Sequence, residues 1–250
     1  MKKLFTVLLT MIMVITLVGC GTKTEDAPVV EDTPTTDEEL VPEPVTAKNT
    51  YADFEAAELN TELELLMSVQ ATEAWWDGKI TVYGQDDNGG YLVYELACPE
   101  QKDADVLLPG TLIRVTGYKS EWSGEVELTD ATYEFVDVGG NAGKIYDPVD
   151  LTDLIGNNDE LIKYMNQKAS FKNLTVVEYT EVTSDSDGYL KVTDANGTEI
   201  VFVVRRYLTS PESDLAKTVA SFAAGDVIDL TAFVYWYEGP EARIIEAVKH

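Results

Sequence analysis

A weak succession of turn, strand and glycine signals runs through this 250-residue chain twice, which points to a fold holding two copies of one unit. Asp86-Asp87-Asn88-Gly89 precedes an aromatic strand, and Asp194-Ala195-Asn196-Gly197 does the same about 108 residues later. Gly110-Thr111-Leu112-Ile113-Arg114-Val115-Thr116 is echoed by Gly225-Asp226-Val227-Ile228-Asp229-Leu230-Thr231. Trp122-Ser123-Gly124 and Tyr237-Glu238-Gly239 each open a last strand. Matches that recur in order point to a repeated architecture, here divided as 50–140 and 141–250.

Alternation supplies the elements. In the first copy, strands are expected over Leu63 to Gln70, around Ile80 and Val82, from Tyr91 to Leu96, around Ile113 and Val115, and around Val126 and Leu128. Asn88-Gly89-Gly90 marks a turn, because these residues reach positive φ at little cost. Pro99 to Leu108 reads as one or two helical turns. In the second copy, Asp150 to Met165 has helical spacing, with strands at Phe171–Val177, Leu190–Val192 and Ile200–Val204. Ser210-Pro211 reads as a helix start, with Ser as cap and Pro at the first position. Ile228, Leu230, Ala232 and Val234 then alternate along a long strand.

Five strands with a helix between the third and fourth is the order of the OB-fold, a five-stranded Greek-key barrel. The fold class expected is therefore mainly β, two OB-fold-like barrels, preferred over a β-sandwich because of where the helix falls. Tyr51-Ala52-Asp53-Phe54, Val69-Gln70-Ala71, Trp75, Val82-Tyr83-Gly84-Gln85-Asp86 and Gly89-Gly90-Tyr91 give the first copy a particular look. It resembles the OB-like domains of secreted or lipid-anchored Gram-positive proteins, closely over 51–135 and more loosely over 145–248.

The N-terminus carries a separate message. Lys2-Lys3 precedes an apolar run from Leu4 to Val18, which closes on Leu17-Val18-Gly19-Cys20. The run is too short for a permanent membrane span and has the layout of a secretory signal. It resembles the lipobox of bacterial lipoproteins, which implies removal of residues 1–19, acylation of Cys20 and an extracytoplasmic location on the cell membrane. Two acyl chains anchor a protein stably. The segment that follows in 20–49 is rich in Pro and acids, including Glu31-Asp32-Thr33-Pro34 and Pro42-Glu43-Pro44, and has no apolar periodicity. It reads as a tether, about 30 Å long as a flexible coil and about 90 Å if drawn out.

Formal net charge is −27, from 18 basic and 45 acidic residues. That balance speaks against nucleic acid and anionic headgroups as partners. Cys98 is the one cysteine besides Cys20, so no internal disulfide is expected, and its apolar setting suits a buried thiol. His250 is the single histidine and the last residue, a poor position for a catalytic triad or a histidine metal site. Neither a phosphate-binding glycine loop nor a nucleophile elbow occurs. Asp86–Gly89 and Asp185–Gly188 cluster oxygens, but turn formation explains both better than calcium. No enzymatic activity, metal or cofactor is expected.

Aromatic residues remain as the candidate binding face. OB barrels take ligands across strands two and three and the loops beside them. On that map the candidate ligand-binding residues are Trp75, Trp76, Tyr83, Tyr91, Tyr94 and Trp122, with Tyr189, Phe202, Tyr235, Trp236 and Tyr237 as second-copy counterparts. Adjacent residues on an extended segment point opposite ways, so Trp75 and Trp76 cannot both face inward. The alternative is that these rings pack between the copies. The function expected is a membrane-anchored, non-catalytic binding or adaptor module, with cell-wall glycan as the next reading and single-stranded nucleic acid after it. Its partners would be the membrane through Cys20 and a glycan or protein.

Overall fold

Alternating apolar residues close the first half of the molecule on itself. In the computed structural model, which describes residues 46–136 and 143–250, helix α1 (Tyr51–Ala56) leads into strands β1 (Glu62–Thr72), β2 (Lys79–Gln85) and β3 (Gly90–Ala97). A short helix α2 (Gln101–Ala104) separates these from β4 (Leu112–Trp122) and β5 (Glu125–Phe135). The strands form a closed barrel in the order β1-β2-β3-β5-β4. Closure comes from β1 lying antiparallel to β4, Leu65 opposite Val115 and Met67 opposite Ile113, all four side chains buried. Cys20, the signal 1–19, and nearly all of the tether lie outside the described residues. No described helix is long and apolar enough to cross a membrane.

The second half has β6 (Val149–Asp150), α3 (Asn158–Leu161), β7 (Lys168–Thr180), β8 (Gly188–Thr193), β9 (Glu199–Val204), α4 (Asp214–Ala220), β10 (Val227–Phe233) and β11 (Arg243–Lys249). Its strands run in the order β10-β11-β9-β8-β7-β6, and β10 also pairs with β7, Leu230 opposite Phe171. The chain is thus mainly β, with one closed five-stranded barrel and a second sheet of related order.

Two expected helices differ in the structure. The Asp150–Met165 run is broken into a 3-10 turn at Thr152–Leu154, α3, and another 3-10 turn at Ile162–Tyr164. Gly156 takes φ +84° and Asn157 is non-helical, which ends the helical spacing, although Leu151, Ile155, Leu161 and Met165 still reach the core. The helix expected from Ser210-Pro211 begins later: Ser213 is the cap, its Oγ accepting from the Ala216 N–H at 3.1 Å. Ser210 accepts instead from the Glu212 N–H in a turn before it.

Each half has its own apolar core, one built around Leu65, Val82, Val93 and Ile113, the other around Phe171, Leu190, Phe202 and Leu230. A small third cluster of Tyr83, Leu92, Phe233 and Tyr235 joins them, with Tyr83 and Phe233 stacked at 4.4 Å. Polar contacts also cross here: Glu125 Oε2 accepts from the Trp236 N–H at 2.8 Å, and Asn166 Nδ2 donates to the Val126 carbonyl at 3.2 Å. A Cβ on Gly90 would strike the Asn166–Gln167 backbone, so glycine there lets the two chain segments touch. The turn assigned to Asp86 forms, with Oδ1 accepting from the Asn88 and Gly89 N–H groups.

Candidate functional site: an aromatic cleft with a buried ion network

Glu73, just past the end of β1, organises the space where the two halves meet. Its carboxylate is buried, and Oε1 accepts from Arg205 Nε at 3.1 Å and Arg243 Nη1 at 3.2 Å. Tyr83 donates its hydroxyl proton to the same carboxylate, and Arg243 in turn donates to Tyr83 Oη. Arg205 also donates to Asp187 Oδ2 at 3.0 Å, while Asp187 Oδ1 accepts the Arg206 N–H. Arg243 lies against Tyr235, 3.3 Å from the ring centroid. Burial drives the Tyr83 hydroxyl far above its ordinary pKa, so it stays a neutral donor.

Over this floor opens a cleft of about 480 Å³, lined from the first half by Tyr94, Trp122 and Glu127 and from the second by Tyr189, Tyr237 and Glu241. A second hollow of about 380 Å³ shares Glu73, Thr81, Tyr94 and Arg205 with it and is walled by Trp76 and Tyr207. Arg205 and Arg206 both stack on Tyr207, at 4.7 and 4.6 Å. The aromatic walls follow from local geometry. Trp122 is held out at the β4–β5 hairpin, whose Ser123 and Gly124 take positive φ. On the opposite wall the turn bearing Tyr237 is fixed by its own N–H, which donates to the Gly239 carbonyl at 2.8 Å.

The six candidate residues divide. Tyr94 and Trp122, 41% and 62% exposed, both line the cleft, and Trp76, 80% exposed, lines the adjoining hollow. Trp75 turns the other way, packing on the first core and donating Nε1–H to the Cys98 carbonyl at 2.8 Å. Tyr83 and Tyr91 are fully buried and present no face to solvent: Tyr83 joins the halves, and Tyr91 packs edge-on against Phe54 and Tyr51. Of the second-copy rings, Tyr189, Tyr235 and Tyr237 line the cleft, while Phe202 and Trp236 belong to the second core. Among the described residues no three His, Cys, Asp or Glu side chains are grouped to hold a metal ion.

Glu73, Glu127, Glu241 and Arg243 carry no motif that marks them in the sequence. Glu125 and Glu127 alternate with Val126 and Leu128 along β5, which reads as a solvent face when one half is considered alone. That face meets the other half instead. Burial pushes Glu125 up to about 8 and Glu127 up to about 7.

Fold and site together define a mainly β protein with an OB-like barrel and an aromatic, acid-rich cleft. No protein-family model and no curated protein matches the sequence. Solved structures do show a distant likeness. A murine DNA-binding protein bound with double-stranded DNA is 14% identical, covering 75% of this chain and 96% of that one, at a TM-score of 0.38. A HINa domain in complex with 20-base-pair double-stranded DNA is 11% identical, covering 77% and 97%, at 0.34. The single-stranded DNA-binding protein from Thermus aquaticus, as a deletion mutant, is 13% identical, covering 77% and 95%, at 0.24. The expectation from net charge that nucleic acid is an unlikely partner is withdrawn: the first two of these structures hold double-stranded DNA. At such TM-scores the likeness assigns no ligand to this chain.

Proposed function

We propose that this protein is a membrane-tethered, non-catalytic binding protein whose ligand sits in the cleft between its halves. In this reading residues 1–19 are a signal, Cys20 carries the lipid, 20–49 is the tether, and 50–140 and 141–250 are two OB-like units. The β10–β7 pairing supports a second barrel, since it joins the ends of the β7-β8-β9-β11-β10 series. The observation that carries the binding reading is the cleft itself: exposed rings from both halves stand over a floor already fixed by Glu73, Arg205 and Arg243. A floor locked by ion pairs beneath aromatic walls is what a preorganised binding site needs.

Glycan is the second reading, favoured by the exposed rings of Trp76 and Trp122, one lining each of the adjoining hollows. Calorimetry and tryptophan fluorescence on the full chain, against neutral oligosaccharides, single- and double-stranded DNA and small amines, test the cleft. Any ligand that binds there should lose at least tenfold in affinity in the Tyr94→Ala and Trp122→Ala proteins. A ligand that binds all three proteins alike places the site elsewhere.

A further inference from the structure

Glu127 is only 7% exposed, yet among the described residues its carboxylate has no hydrogen-bond or ion-pair partner, and it lines the cleft. The other charges nearby are matched: Arg205 lies between Glu73 and Asp187, and Arg243 on Glu73. Glu241 also lines the cleft, and no ion pair to it exists among the described residues. Four carboxylates thus face two guanidinium groups. A carboxylate buried on most sides and ion-paired with nothing is destabilised, and a cation brought to it from the cleft relieves that cost. The walls add a second attraction, because the ring faces of Tyr94, Trp122, Tyr189 and Tyr237 carry negative potential.

We propose that the cleft binds a small organic cation, an amine or quaternary ammonium, seated by Glu127 and Glu241 among the aromatic rings. This rests on the cleft being the ligand seat. Glu127 responds to burial above all, with Arg243 on β11 pulling its pKa down and Glu95 on β3 pushing it up, to about 7. Burial raises Glu241 as well, against Arg243 and Arg205 and with Asp187. Glu73, the phenols of Tyr94, Tyr189, Tyr235 and Tyr237, and Glu125, which repels Glu127 from two residues away on β5, are the other titratable groups near this space. A cation should therefore bind more tightly as pH rises through about 7, when Glu127 gains its charge.

Spermidine, tetramethylammonium and neutral cellohexaose, titrated by calorimetry into the full chain at pH 6 and pH 8, test this. Spermidine should bind one to one and about tenfold more weakly at pH 6. Glu127→Gln should weaken it at least tenfold and flatten the pH dependence, while the exposed Glu212→Gln should change nothing. Unaltered binding in Glu127→Gln, or an equal loss in Glu212→Gln, overturns the proposal. Cellohexaose binding that Trp122→Ala abolishes, without amine binding, overturns the cation and keeps the cleft. Failure of every probe to bind overturns both. Matching melting curves for the variants exclude misfolding as the cause.

Discussion

Two buried carboxylates at the meeting of the halves behave in opposite ways. Glu73 is ion-paired: its Oε1 takes hydrogen bonds from Arg205, Arg243 and Tyr83. Glu73→Gln leaves Arg243 without its counter-charge and Arg205 with Asp187 alone, and breaking a buried pair from one side costs about 3–5 kcal/mol. Chemical denaturation should register that loss. Glu125 has no cation on it. Oε2 accepts from the Trp236 N–H, while Oε1 has no partner among the described residues, and neither has Asn166 Oδ1. Burial lifts its pKa to about 8, against the lowering influence of Trp236, Asn166 and Arg243. The folded state therefore keeps a proton that the unfolded chain releases near 4.5. This contribution is present in full below about 4.5 and is lost as pH rises to about 8, on the order of 3–5 kcal/mol. Depressed carboxylates such as Asp150, held low by Lys172 and Thr152, run the other way. The difference between wild type and Glu125→Gln isolates the effect: the variant should gain relative stability as pH rises from about 4.5 to about 8, and a constant difference refutes it.

Strands were the most legible elements because period-two alternation is local and burial on one face enforces it. Leu63, Leu65 and Met67 on β1 show this, each buried opposite a buried β4 residue. The Asp150–Met165 segment shows the limit, for its spacing recorded burial while Gly156 decided the backbone. Lys119 shows another. Its charge suggests a groove cation, but it is buried and donates to the Phe54, Glu55 and Ala57 carbonyls at 2.8 Å each. A six-residue helix such as α1 is marginal alone, and it is held by the Thr50–Asp53 capping box at one end and this ammonium at the other. Lys119→Met should cost about 1–3 kcal/mol by leaving those carbonyls short of donors. Hydrogen exchange at Phe54 and Ala57 should rise with it, and protection equal to wild type refutes the clamp.

At the scale of the whole molecule, the cleft was illegible because its parts are remote in the chain: Glu73 and Arg243 meet across 170 residues. A repeat points to two similar units without saying which faces touch, so Tyr83 read as a platform and nothing singled out Glu127. The proposed N-terminal signal is different in kind, since Lys2-Lys3, the apolar run and Gly19-Cys20 are contiguous. The proposed anchor and the acidic body would act in opposition at an anionic surface: acyl chains insert, while residues 50–250, with 14 basic and 37 acidic side chains, repel. In the proposed arrangement the 20–49 tether would resolve this by holding the charge farther out than a Debye length, about 8 Å at physiological salt. Cys20→Ser should then release the protein from membranes and abolish palmitate incorporation, because the body alone has no attraction for the surface. Deleting 24–45 in the lipidated protein should weaken retention at low salt more than at high salt. Membrane retention of the Cys20→Ser protein, measured by fractionation, refutes the anchor, and salt-independent retention of the shortened chain refutes the spacing argument.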